Sequence, residues 1–196
     1  MKKIQMKINP WVLGVLGGLM LTACGENESP RPYGYPRIDL PAKEYKVAEV
    51  DPGCPYSFEM NKHAVWEMDM RGECWGNVVY PSLRAKVQLT YKPVKDNLQD
   101  LLEEAHGLAY NHTVKADGIQ EQLYENRDQK VYGLMYSLRG DAATATQFFL
   151  TDSTDNFLRG VVYFYASPNA DSLRPANAFM ADEVMRMIET TTWNNK

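Results

Sequence analysis

An apolar run of eleven residues, Trp11 to Leu21, sits behind three lysines (Lys2, Lys3 and Lys7) and ahead of the small residues Thr22 and Ala23. A membrane-spanning helix needs about 20 apolar residues, so this run is too short to cross a bilayer uncleaved. A positive start, a short apolar centre and small residues before a cut are the parts of a secretory signal peptide. The expectation is that residues 1–23 are removed on export. Of the 196 residues, 173 then remain to fold in an oxidising compartment, a length suited to one domain with a sizeable core.

The string Leu21-Thr22-Ala23-Cys24 that closes the run resembles the lipobox of bacterial lipoproteins. That resemblance implies that Cys24 becomes the first mature residue, carries acyl chains such as palmitate, and holds the protein on a membrane. Each buried methylene contributes about 0.8 kcal/mol, so two or three chains anchor stably where one would exchange. The removed segment carries no acid, and loss of its three lysines takes the formal charge from −4 to −7. An acidic surface argues against nucleic acid and against electrostatic adhesion to anionic lipid. Attachment therefore rests on the acyl chains.

Residues 24–41 read as a lipid-anchored tether, because Pro30, Pro32, Pro36 and Pro41 interrupt any helix or ladder. A dozen residues in extended polyproline geometry, at about 3.1 Å each, would hold a domain some 35–40 Å from the lipid. The tether ends in a block, Tyr33 to Pro41, more apolar than a spacer requires. Either it packs on its own domain, or Tyr33, Tyr35, Arg37 and Ile38 form a strand that contacts a partner.

Residues 42–196 are expected to make a single globular domain. Its two cysteines, Cys54 and Cys74, more often pair as a disulfide in an exported domain than remain free or bind metal. Zinc would need two further ligands, and His63 between them has no recurring ligand spacing. Val87, Leu89 and Tyr91 alternate with polar residues as in a strand with one covered face, and Tyr132, Leu134, Tyr136 and Leu138 do the same. Tyr56 to Met60 and Trp75 to Tyr80 are weaker strand candidates, and His63 to Met70 reads as strand or loop. Between Asn97 and Leu123, apolar and small residues recur by threes and fours, which predicts one long helix or two broken near Gly118. Val161-Val162-Tyr163-Phe164 is apolar on both faces and predicts a central strand. Pro168 to Pro175 reads as a loop, with Pro175 in the first turn of a closing helix. The expected fold class is α+β, two main helices on a mostly antiparallel sheet.

Catalytic signatures are not evident. His106 and His112 are six residues apart and do not share a helix face as i, i+4 neighbours would, and no HExxH, GxSxG or phosphate loop occurs. His112 falls on the alanine stripe Ala105, Ala109, Ala116 and reads as a partly buried structural residue. The turn Thr151 to Asn156 is rich in short oxygen-bearing side chains, yet it lacks the EF-hand glycine and distal glutamate, so local turn chemistry accounts for it. Glu103-Glu104 reads as a solvated helix face and Arg139-Gly140-Asp141 as a turn. Ser153 and Ser172 lie in short Asp-Ser patterns similar to Bacteroidetes O-glycosylation sites. No catalytic residue, metal or cofactor is expected.

An ordered set of segments carries a wider resemblance: Cys24-Gly25, Pro32 to Pro41, Cys54-Pro55-Tyr56-Ser57-Phe58, Cys74-Trp75, Leu89 to Pro93, Ala109 to Asp117, Gln147 to Ser153 and Phe157 to Gly160. Together they resemble the gliding-motility lipoprotein GldD family of Bacteroidetes across the mature chain. The resemblance implies a non-enzymatic envelope lipoprotein that supports the gliding apparatus and the associated type IX secretion system, with other envelope lipoproteins or membrane proteins as partners. The outer membrane, at its periplasmic face, is favoured by Gly25 and the nearby acids Glu26 and Glu28. The element order is also similar to the small PsbP/Mog1-like sandwich. A different expectation for the same residues is an envelope ligand-binding or cell-wall-acting enzyme, which would show convergent polar groups in a concave pocket around His112 or Asp152.

Overall fold

The computed structural model describes residues 34, 37–111, 116–140, 144–167 and 169–194, so Cys24, Tyr33, Tyr35 and His112 lie outside the described residues. In chain order the elements are β1 (Tyr45–Val47), β2 (Tyr56–Ser57), β3 (Glu59–Asn61), β4 (Val65–Met68), β5 (Gly76–Tyr80), β6 (Ala85–Pro93), α1 (Leu98–Asn111), β7 (Ala116–Asn126), β8 (Val131–Gly140), β9 (Thr146–Thr151), β10 (Asn156–Phe164), α2 (Ala170–Thr190) and β11 (Thr192–Trp193).

Seven strands form one sheet in the order β4-β5-β6-β10-β9-β8-β7, with every neighbouring pair antiparallel. The first three strands run as one meander. The connection through α1 then crosses to the far edge, and β7 to β10 walk back until β10 seats beside β6. This places the doubly apolar run Val161-Val162 in the middle of the sheet, where both faces are covered. The close approach there needs a glycine, since a Cβ on Gly160 would lie 2.1 Å from the Phe148 ring opposite it. Two further pairings, β1 with β3 and β11 with β2, lie outside the large sheet.

Register assigns the faces. Leu158 opposes Tyr91 and Val162 opposes Val87, so these side chains share a face with Leu89, Phe148 and Leu150 in the main core. Helix α2 covers that face with Phe179, Met180, Val184, Met187 and Ile188, the residues whose spacing predicted its buried side. Each such side chain, fully buried, contributes about 1.5–3 kcal/mol. Helix α1 lies on the opposite face, with Leu101 and Ala105 packed on Phe157, and Ala109 on Tyr136 and Leu138. The fold is α+β, with an antiparallel sheet between two helices.

Glu183 of α2 is 1% exposed. Its two oxygens accept hydrogen bonds from the Tyr45 and Tyr80 hydroxyls, each at 3.1 Å, which satisfies the buried carboxylate and ties β1 and β5 to α2. Burial, and then the Glu183 charge, push the Tyr80 hydroxyl well above its ordinary range.

Two expected boundaries are corrected. The helix after Asn97 ends at Asn111, and Ala116 to Asn126 is an edge strand paired with β8. Ile119 and Leu123 fit helical spacing, whereas in a strand they share one face with Glu121 and Glu125, so alternation gives no strand signal there. The long pairing with β8 decides for the strand, since tertiary context overrides a weak local preference. The closing helix starts at Ala170 rather than near Pro175. Asn169 caps it by accepting the Ser172 N–H at 2.9 Å, and Pro175 falls inside at the cost of one backbone bond. The uncertain stretch from His63 to Met70 contains the edge strand β4.

Candidate functional site

A wide groove is built at one end of the sheet by three loops. The first two are joined by the Cys54–Cys74 disulfide, with alpha carbons 5.4 Å apart. The thiols are thus spent in a covalent staple, and the free-thiol and zinc readings fall away. Cys74 adopts a left-handed φ of 56°, held from both sides: its sulfur is bonded to Cys54 and its carbonyl accepts the Tyr56 hydroxyl at 2.7 Å. Next to it, Trp75 donates its indole N–H to the Tyr91 carbonyl at 2.8 Å, beyond Leu89, the last β6 residue that β5 pairs. The indole lies against Gly72, where a Cβ would be 2.5 Å from the ring. In the same loop, Asp69 accepts the Arg71 amide at 3.1 Å and its guanidinium as well.

The third loop is the β9–β10 turn. Oδ1 of Asp152 accepts the backbone N–H groups of Thr154, Asp155 and Asn156 at 3.0, 2.9 and 2.9 Å, and Oδ2 accepts the Asn156 side-chain amide. Asn156 in turn accepts the Tyr91 hydroxyl at 2.9 Å, and the Asp155 carbonyl accepts the Val94 N–H at 2.8 Å. Burial of Asp152 opposes ionisation, but these N–H donors outweigh it and hold the carboxyl below its ordinary range. The oxygens that looked like a possible ligand set in the sequence are therefore committed to shaping the turn.

Between the loops runs an open groove of about 840 Å³, lined among others by Pro55, Glu73, Cys74, Trp75, Tyr91, Lys92, Asp155 and Asn156. Its inner polar groups bond one another, leaving an aromatic and proline-bearing rim with Glu73, Lys92 and Asp155 at the edge. Such a surface suits recognition of a chain segment better than proton transfer, which needs a group with a free lone pair or proton at a perturbed pKa.

Replacing both Cys54 and Cys74 by alanine is expected to lower stability by about 3 kcal/mol, the chain-entropy worth of a 20-residue loop. The fold should persist, because the Tyr56 and Trp75 hydrogen bonds still hold the loop. Urea unfolding measures this, and a loss under about 1 kcal/mol would contradict it.

Acid has a separate effect on this loop. Hydrogen bonds from the Arg71 side chain and amide hold the Asp69 carboxyl at about 2. A carboxyl whose folded value lies below its unfolded one stabilises the fold fully above the unfolded value, about 3.9, and that contribution is lost as pH falls through about 2. NMR titration of Asp69 should give a midpoint near 2 that moves toward about 3.9 in Arg71→Ala. An unshifted wild-type midpoint would contradict the pairing.

The remaining sequence candidates are scattered. His63 is exposed after β3, and its N–H donates to Asn61. His106 sits on the exposed side of α1 with Nδ1 3.3 Å from the Tyr136 hydroxyl. Glu104 pairs with Lys92 and Glu103 accepts from Gln99. Arg139 lies on β8 and donates to Gln120 at 3.2 Å, Ser153 stands at the tip of the β9–β10 turn, and Ser172 lies in the first turn of α2. Arg37 is exposed and paired with Asp39 at 3.0 Å, whereas Ile38 packs partly buried against the main core. Among the described residues, no three His, Cys, Asp or Glu side chains gather as a metal cluster. The Trp75–Tyr91–Asn156 chain of bonds and the Glu183 pair of tyrosines were not foreseen. Glu183 carried a signal, a carboxylate within the stripe Met180, Val184 and Met187.

A family model described as gliding motility lipoprotein GldD matches residues 25–193. The chain belongs to this family. No curated protein matches it. As a GldD-family member it is a lipoprotein associated with gliding motility and with the cell envelope. Among the described residues, no helix is long and apolar enough to cross a membrane. Within a GldD-family chain the disulfide groove, rimmed by Trp75 and Tyr91, is the feature with the clearest shape for contact.

Proposed function

We propose that the chain is a lipid-anchored accessory subunit that acts by contact, without turnover, and supports assembly or stability of the gliding motility and type IX secretion machinery. The anchor is Cys24, and the membrane is the outer one, at its periplasmic face. Family membership over residues 25–193 supports the setting. The observation that carries the mode of action is the groove beside the disulfide, where Asp152, Asn156, Tyr91 and Trp75 spend their polar atoms on one another. What such a groove offers a partner is shape and apolar area. The Tyr33 to Ile38 segment adds a second candidate contact, with Tyr33, Tyr35, Arg37 and Ile38 as the residues that meet partners among the envelope lipoproteins or membrane proteins of the machine.

Deletion of the gene is the direct test. Expected results are impaired secretion of the system's cargo and lowered amounts of neighbouring machine lipoproteins, with poor rescue by a form lacking the anchor. Normal secretion with unchanged partner levels, or turnover of a cell-wall substrate by the purified protein, would overturn the reading.

A further inference from the structure

Under α1 there is a second, smaller and more enclosed cavity of about 140 Å³. Trp75, Leu101, Ala105, Leu108 and Phe157 give it apolar walls, and Arg159 of β10 supplies a guanidinium. A guanidinium carries five N–H donors. Among the described residues this one makes a single hydrogen bond, from Nη2 to Oε1 of Gln147 at 2.7 Å. Gln147 is itself 1% exposed and is oriented by donating to Thr144 at 2.9 Å, so the arginine is held in place by a buried relay. Among the described residues, no carboxylate forms an ion pair with it. The nearest acid of the lining, Glu104, gives both oxygens to Lys92 at 3.0 and 2.7 Å. Counting Lys92, Glu104 and Arg159, the lining carries one net positive charge. Desolvation destabilises the charged Arg159, with Tyr163, Glu104 and Tyr136 opposing that effect. A partly buried cation without a counter-charge costs the fold stability, which an anion in the cavity would recover.

We propose that this cavity is a carboxylate-binding pocket, in which Arg159 receives a compact apolar acid. The size fixes the body of the ligand: a cavity near 150 Å³ accepts a benzene-sized group. Charge fixes the head, since planar carboxylate matches the guanidinium fork. Trp75 and Lys92 also line the larger groove, so the acid is either free or carried on a chain lying there. This inference does not rest on the accessory-subunit reading.

The test is calorimetric titration of the full-length chain in detergent with benzoate, using benzyl alcohol as the uncharged comparison. Benzoate should bind with a Kd on the order of 1 mM and the alcohol at least about tenfold more weakly. Arg159→Gln should weaken benzoate by at least about tenfold, and Arg159→Lys by less. Ala105→Leu fills the cavity from the α1 side and should abolish binding with Arg159 untouched and the melting temperature kept. A tripeptide ending in phenylalanine should compete with benzoate, and its C-terminal amide should not, if the acid is chain-borne; failure of both peptides assigns a free acid. Equal binding of acid and alcohol, no benzoate binding below about 10 mM, or wild-type affinity in either Arg159→Gln or Ala105→Leu would overturn the proposal.

Discussion

Replacing Cys24 with alanine is expected to move the protein out of the membrane fraction or to leave it as uncleaved precursor. The eleven-residue apolar run is too short to serve as a transmembrane anchor, and no helix among the described residues offers a substitute. Cleavage before Cys24 would remove three lysines and leave a formal charge of −7, which gives no attraction to an anionic leaflet. Attachment then rests on acyl chains alone. At about 0.8 kcal/mol per buried methylene, two chains hold a protein almost permanently, and a chain without them has nothing of comparable size to replace the loss. Fractionation with immunoblotting reads the outcome. Mass spectrometry that finds an unmodified Cys24 in a mature chain would overturn the assignment.

The second large effect is expected at Asp152. Removing its carboxylate strands three backbone N–H groups and the Asn156 amide at a position only 8% exposed. Hydrogen bonds to charged groups contribute about 1.5–3 kcal/mol each, and they are not additive. Asp152→Ala should therefore destabilise by about 3–5 kcal/mol, near the upper end for a single substitution. Asp152→Asn keeps an acceptor for the backbone groups but turns an amide toward Asn156, so its loss should be intermediate. Equilibrium urea unfolding of both variants, with the slope checked for constancy, measures the order. A loss of under about 1 kcal/mol in Asp152→Ala would mean that the turn holds itself without the carboxylate. The same variant should also loosen the groove, because Asn156 would lose the bond that aims its oxygen at the Tyr91 hydroxyl.

Long, strongly patterned segments were legible from the residues alone. Alternation at Val87, Leu89 and Tyr91 marks a half-covered strand because successive side chains point to opposite faces. The two-sided apolar run at Val161-Val162 marks a strand covered on both, and the stripe from Phe179 to Ile188 marks a helix with one buried side. The disulfide followed from compartment and cysteine count. What fails is what local pattern leaves undecided. Ile119 and Leu123 keep helical spacing and share a strand face with Glu121 and Glu125, so the local pattern carries no strand signal, and only the pairing with β8 selects the strand. The groove is less legible still, since it is assembled from residues near 55, 75, 91 and 156 that only the sheet order brings together.

By itself, then, the sequence determined periodicity and family, because hydrophobic spacing and ordered motifs are local or linear properties. The tertiary structure alone decided which strands neighbour one another, that α1 and α2 take opposite faces, and that Asp152 is consumed by its own turn while Arg159, among the described residues, has no ion-pair partner. These depend on which distant groups meet, and the energy of a hydrogen bond or an ion pair exists only between groups that do.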